Sequence, residues 1–136
     1  FTVALIEEAV AACPEPLVCD QVEYHPYLDQ SRIGEACTRH GMALVAYSPI
    51  AKGRIRNDRA RLRIGDRYRK SAAQVCLRWL VQHGVAAIPR TSKLERLSEN
   101  IDIFDFELSD EDMQQISSMG SAGGRLTEFG LAPKWD

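Results

Sequence analysis

The sequence has no long hydrophobic run: no apolar stretch approaches the roughly 20 residues needed to cross a bilayer, so no membrane span is expected. It also has no excess of charge. Its 17 Lys and Arg stand against 19 Asp and Glu, a net charge of -2, which removes the general electrostatic case for a nucleic-acid or membrane-surface binder. Hydrophobic residues at 45% exclude disorder through want of apolar groups, and 136 residues fit one domain by size. No basic region followed by an apolar stretch opens the chain, so no signal peptide is visible. The four cysteines, Cys13, Cys19, Cys37 and Cys76, form no CxxC pair, and three sit in apolar surroundings. Buried free thiols in a reducing, cytoplasmic setting suit them better than disulfides. His25, His40 and His83 are isolated and lack zinc-ligand spacing to any cysteine, so no metal site is expected. G-x-S-x-G is absent, which weakens a hydrolase reading. G-x-G-x-x-G and the P-loop pattern are absent too, so neither of those phosphate loops is in use.

What is present is an alternation of helical and strand-like segments. Thr2 is a good N-cap for a helix that ends near Cys13 and Pro14. Residues 17–24 have strand composition, and His25-Pro26 ends them. A helix follows from about Asp29 to His40, with Gly41 as its stop. The short run 42–47 lacks alternation, as expected for a parallel strand buried on both faces. Residues 49–70 read as a long polar connection. Ser71 and Gln74 make a capping box for a helix that stops at Gly84. Residues 85–88 form a third strand, Ser92 and Glu95 a second capping box for a helix through about Asn100, and Ser109 caps a last helix to Met119. The long connections between strands force parallel pairing through helical crossovers, giving a doubly wound sheet or a (β/α) barrel.

In such folds, sites gather at the C-terminal ends of the strands. Here those ends carry Glu23, Tyr24 and His25; Tyr47 and Ser48; and Arg90, Thr91 and Ser92. Residues 88–96 place Arg90, Lys93 and Arg96 around a helix N-terminus, an arrangement suited to a phosphate monoester. The alternative is a solvated helix start in which Arg96 pairs with Glu99 or Asp102. Residues 52–70 hold nine of the 17 basic residues, and residues 99–115 hold seven acids and no base. The basic run reads as a mobile solvated loop rather than a nucleic-acid site, since Tyr68 is its only aromatic. The acidic run either offsets it or is a wet helix face.

Three segments taken together resemble the aldo-keto reductase family: Gln21-Val22-Glu23-Tyr24-His25-Pro26-Tyr27-Leu28, Val45-Ala46-Tyr47-Ser48-Pro49, and Ile88-Pro89-Arg90-Thr91-Ser92 through Glu99-Asn100. Residues 73–79 and 108–112 fit the same pattern, so the resemblance covers essentially the whole chain, and the bacterial 2,5-diketo-gluconate reductases look most similar. It implies an α/β fold: the C-terminal portion of a (β/α)8 TIM barrel, with three parallel strands alternating with helices plus an extra C-terminal helix and tail. Such a barrel takes about 250 residues, so residues 1–136 are expected to be part of the barrel domain with its N-terminal half missing. The resemblance implies reduction of an aldehyde or ketone by hydride transfer from NADPH, with NADH admitted. Gln21 would bond the nicotinamide carboxamide and Tyr47 would stack on the ring. Ser48, Ile50 and Lys52 would lie along the pyrophosphate. Arg90, Thr91, Ser92 and Arg96 would grip the 2'-phosphate, while Glu99 and Asn100 would reach the adenine. Tyr24 and His25 become supports of the strand end. The family's catalytic Asp, Tyr, Lys and His have no match here, so the chain alone is expected to be inactive. In the tail, Phe129 and Trp135 are either pocket walls or packed aromatics. The rival expectation is an inactive cofactor-binding or interaction half-barrel that dimerises through its open edges.

Overall fold

The computed structural model describes residues 1–127 together with 130, 133 and 135, and of Leu62 the backbone alone. Phe129 lies outside the described residues. The order is α1 (Val3–Ala12), β1 (Cys19–Glu23), α2 (Ser31–Arg39), β2 (Ala43–Tyr47), a 3-10 segment (Ala51–Asn57), α3 (Arg59–Tyr68), α4 (Ala72–Gln82), β3 (Ala86–Ala87), α5 (Leu94–Ile101), α6 (Asp110–Ser117) and a short 3-10 turn (Ala122–Gly124). Local chemistry sets most boundaries. The Thr2 hydroxyl accepts the Leu5 N–H at 3.3 Å, Ser71 and Gln74 make the expected capping box, and the Ser109 hydroxyl accepts the Asp112 N–H. Gly41 and Gly84 follow α2 and α4 in the left-handed region, at φ 66° and 73°, which a residue with a Cβ adopts only at a cost.

Two local expectations are corrected. Ser92 and Glu95 form no capping box, because extended backbone at Lys93 moves the cap one residue along. The α5 start carries no side-chain cap, and Thr91 Oγ1 instead accepts the Lys93 N–H at 3.1 Å. Residues 49–70 are not a loop, since they hold the 3-10 segment and α3. Asp58 caps α3 by accepting the Ala60 and Arg61 N–H groups. Ile64 and Arg61 are fully buried beneath it, and a Cβ at Gly65 would collide with the Lys70 carbonyl. A buried arginine counts as polar in any hydrophobic pattern, so the helical stripe was concealed.

The sheet is parallel in the order β1-β2-β3. Gln21 lies beside Val45 and Glu23 beside Tyr47, while Val45 and Ala46 lie beside Ala86 and Ala87. One face is covered: Val22, Leu44, Ala46 and Val85 pack with Ile6, Ile33, Val75, Trp79, Leu80 and Ile116, each large aliphatic contributing roughly 1.5–3 kcal/mol. Tyr24 joins this core, its ring edge-on to Trp79 at 5.4 Å. The expectation that residues 42–47 are buried on both faces is not met. Cys19, Gln21, Ala43 and Ala86 are exposed on the second face, which residues 125–127 cover at its C-terminal end, over Glu23. All four cysteines are free. Cys37 and Cys76 are buried as expected, but Cys19 is exposed because it points to that open face.

Candidate functional site

Because the strands are parallel, their C-terminal ends share one edge. Gln21 and Tyr47 belong to the open face there, Gln21 exposed and Tyr47 half-buried. The Tyr47 hydroxyl is held above its ordinary pKa by burial and by the Glu23 charge, against the opposing charge and hydrogen bond of Arg125.

Strain is concentrated just beyond β2. Ser48, Ala51 and Lys52 all adopt left-handed backbone, at φ 51°, 48° and 52°. Each such residue other than glycine costs on the order of 1–3 kcal/mol, and such residues cluster at functional sites. The segment is held in that shape from several sides. The Ser48 and Ile50 carbonyls accept the Ala51 and Gly53 N–H groups at 2.9 and 2.8 Å. The Cys76 thiol, whose pKa is pushed up by burial, donates to the Pro49 carbonyl at 3.0 Å. Ala51 and Ile55 are buried against Ala72 and Cys76. Ile50 is half-buried and Lys52 exposed, and the Lys52 ammonium donates to the Leu126 carbonyl at 2.8 Å.

On the α5 side, Arg90 and Ser92 are exposed and Thr91 and Arg96 half-buried. Among the described residues, neither Arg90, Lys93 nor Arg96 is ion-paired, so Arg96 does not make the pairing with Glu99 or Asp102 that a solvated helix start would have. Glu99 is taken by Arg56 at 3.2 Å and by the Ser71 hydroxyl at 2.6 Å, a bridge that ties the strained segment to α5. Asn100, next to it, is buried, yet its Oδ1 and Nδ2 have no partner among the described residues. Buried amides are normally satisfied, so this one has a donor and an acceptor to offer.

Part of the basic run is offset by acids, while Arg54, Arg59, Arg63 and Arg69 are exposed. Arg67 pairs with Asp112, Lys70 with Asp102 and Asp105, and Arg56 with Glu99. Each reading of the acidic run holds in part: Glu99, Asp102, Asp105 and Asp112 offset basic residues, while Glu107, Asp110 and Glu111 are exposed. Arg61 pairs with Asp58 and lies over the Tyr27 ring at 4.4 Å. Burial works against ionisation of Asp58, but the Tyr27 hydroxyl at 2.7 Å, the α3 N–H groups and Arg61 outweigh it and hold its carboxyl below the usual range. Among the described residues no group of three or more His, Cys, Asp and Glu is placed to hold a metal, and no helix is long and apolar enough to cross a membrane.

Glu23 and His25, which the sequence brings to the end of β1, join a cluster with residues 125–127 that sequence reasoning missed. Glu23 and His25 are both fully buried. The Glu23 carboxylate accepts from His25 Nε2 at 3.1 Å and from the Leu126 and Thr127 N–H groups at 2.9 and 3.0 Å. Since a carboxylate here only accepts, the His25 proton sits on Nε2. Arg125 stands 3.8 Å from Glu23 and 3.7 Å above the Trp135 ring. No local spacing signals contacts that span about a hundred residues. Arg56 and Ser71 were missed for the same reason.

The chain was compared with known proteins. A model of the aldo/keto reductase family matches residues 1–121. Glyoxal reductase of Bacillus subtilis is 41% identical over 119 residues, which are 88% of this chain and 43% of that protein. The crystal structure of a putative 2,5-diketo-D-gluconic acid reductase B superposes on all of this chain and 49% of its own, with TM-score 0.96 and 42% identity. A Gox0644 variant in complex with NADPH superposes with TM-score 0.89 and 32% identity, over 94% of this chain and 47% of its own. The chain therefore spans about half the length of the relatives it matches. The strand-end motifs, the shared fold and the family match over residues 1–121 agree, and the chain belongs to the aldo/keto reductase family.

Proposed function

We propose that this chain carries the dinucleotide-binding part of an NADPH-dependent reductase that converts an aldehyde or ketone to an alcohol. One convergence supports the reading. The strained turn at 48–52 and Arg90, Arg96 and the buried amide of Asn100, all three without partners among the described residues, lie on segments joined by the Arg56–Glu99 bridge. A dinucleotide with an extra phosphate presents matching groups: two anionic centres and a base edge with donors and acceptors. The residues present fit it.

When bound, the reduced nicotinamide supplies the hydride that adds to the carbonyl carbon. In this reading Gln21 orients the carboxamide and the Tyr47 ring presents one face of the nicotinamide. The Ser48, Ile50 and Lys52 segment meets the pyrophosphate, its backbone shape being set before binding and so costing little then. Arg90, Thr91, Ser92 and Arg96 take the 2'-phosphate. Asn100 meets the adenine. Glu99, which the resemblance also places at the adenine, has its carboxylate oriented by Arg56 and Ser71. No residue of this chain is assigned the proton transfer that completes the alcohol, and the chain alone is expected not to turn over. The free thiols suit a cytoplasmic setting.

Titration of the purified chain with NADPH, followed by cofactor fluorescence, tests the binding half of the proposal. Saturable binding is expected, tighter than for NADH; none up to about millimolar NADPH, a typical upper limit for substrate and cofactor constants, would sink it. Carbonyl-dependent oxidation of NADPH tests the other half, and turnover by residues 1–136 alone would refute the inactivity.

A second reading, a half-barrel that self-associates, has one observation in its favour. Val18, Leu94, Ile101 and Phe104 are more than two-thirds exposed, and Ile101 and Phe104 line a groove with Val81, Val85 and Ala87, apolar surface of the kind that marks an interface. Sedimentation of the chain as a monomer would count against it.

A further inference from the structure

A fully buried carboxylate is expensive unless every acceptor position is used, and at Glu23 they are used almost entirely by one distant segment. The N–H groups of Leu126 and Thr127 and the guanidinium of Arg125 all approach it, and His25 supplies the remaining bond. An apolar residue would close the strand end equally well. What the carboxylate adds is a fixed position for residues 125–127.

That segment reaches Glu23 along a constrained path. The Ser121 N–H donates to the Tyr27 carbonyl at 3.1 Å and the Asp29 N–H to the Ser121 carbonyl at 3.3 Å. Gly124 then passes so close that a Cβ would collide with the Tyr27 carbonyl. Leu126 is held three ways: its N–H by Glu23, its carbonyl by Lys52, and its side chain by the cluster of Ala51, Ile55, Ala72 and Cys76. The fixed backbone directs the Arg125 side chain, only 7% exposed, between Glu23 and the Trp135 ring, and its charge lowers the Tyr47 pKa against burial. Glu23 and Tyr47 are also direct neighbours across the β1–β2 pair.

We infer that Glu23 is a positioning residue: by anchoring residues 125–127 it holds Arg125 against Tyr47, and so sets the ring on which the nicotinamide is proposed to stack. The inference rests on the cofactor reading only for that last clause. The joint otherwise stands on the 3.8 Å approach of Arg125 to Glu23 and on the pairing of Glu23 with Tyr47 across the sheet.

The test uses the full chain with three variants. Glu23→Gln keeps the size but removes the charge and one acceptor oxygen. Losing one charge-assisted hydrogen bond is expected to speed amide exchange at Leu126 and Thr127 about tenfold. With fluorotyrosine at position 47, a single sharp fluorine resonance in the parent chain should broaden or split in the variant. NADPH affinity should fall by about fivefold or more, as expected when a site must be ordered on binding. Arg125→Met should reproduce the changes at Tyr47 and in NADPH affinity while leaving the two amides protected, and the double variant should lose no more affinity than the worse single one. Gln30→Met is the control. It removes the 2.7 Å bond from the Gln30 side chain to the Glu23 carbonyl, which weakens the same strand end without touching the tail, so amides, resonance and affinity should be unchanged.

Unaltered exchange at Leu126 and Thr127 in Glu23→Gln would overturn the anchor, and an unaltered Tyr47 resonance would overturn the positioning. Affinity losses of the same size in Gln30→Met would reduce Glu23 to a general structural role and overturn it likewise. If the parent chain binds no NADPH, the cofactor reading fails, while exchange and the fluorine resonance still decide the joint.

Discussion

Arg96→Ala addresses the cofactor reading most directly. Arg96 is half-buried and unpaired among the described residues, and it lies in the first turn of α5. A guanidinium and a phosphate about 4 Å apart attract by about 4 kcal/mol per pair of unit charges at an effective dielectric of 20. Half-exposure and salt reduce this to about 1–2 kcal/mol. NADPH should therefore bind about 5- to 30-fold more weakly to the variant, with the loss shrinking as salt rises. NADH offers only a hydroxyl at that position, so its affinity should change less than about twofold, no opposite charge being lost. Because no acidic partner is released by the substitution, folding stability should change by no more than about 0.5 kcal/mol. Fluorescence titration of both cofactors at low and at physiological salt measures all of this. Equal losses for NADPH and NADH would refute the assignment, as would an NADPH loss that does not depend on salt.

Three further outcomes are expected. Ile64→Ala should cost about 2–5 kcal/mol in urea unfolding, since Ile64 is fully buried; a loss under about 0.5 kcal/mol is what a solvated loop gives and would contradict the packed α3. Burial holds the His25 pKa below its ordinary 6.5, with the Glu23 hydrogen bond and charge opposing and the nearby Arg125 reinforcing. The unfolded chain then takes up a proton near pH 6.5 that the folded chain refuses, so this contribution is intact above that pH and is lost as pH falls toward the lower folded value. Stability measured from about pH 7.5 to about pH 5.5 should decline more steeply in the parent chain than in His25→Gln, and parallel profiles would contradict the burial argument. Thiol labelling followed by peptide mass mapping should find Cys19 modified first. Cys76, buried and with its pKa pushed up, should react only on unfolding; rapid labelling of Cys76 would contradict its packing under the strained segment.

The alternation of segments, the parallel connections and most helix caps were legible in the sequence, because caps and glycine stops act within four residues and apolar runs report burial directly. Thr2, Gly41, Ser71 with Gln74, Gly84 and Ser109 all act where local chemistry placed them. The strand-end motifs were legible for the same reason, being short stretches of contiguous residues. Local pattern misled where a charged side chain is buried. Arg61 hid α3 inside an apparently polar connection, and the ion pairs of Arg56, Arg67 and Lys70 offset part of a basic run. At α5, one extended residue was enough to move the cap from Ser92 to Lys93.

By itself, then, the sequence determined the parallel α/β order, the ends of most helices, and the residues brought to one edge of the sheet, since each depends on neighbours along the chain. Only the tertiary structure decided which of those residues are already engaged and which stay open. Glu99 is spent on Arg56 and Ser71, Asn100 has no partner among the described residues, and Glu23 reaches across about a hundred residues to hold the Leu126 and Thr127 backbone. The physical reason is that satisfying a buried charge or amide depends on whatever packs beside it in space, and no spacing along the chain encodes that neighbour.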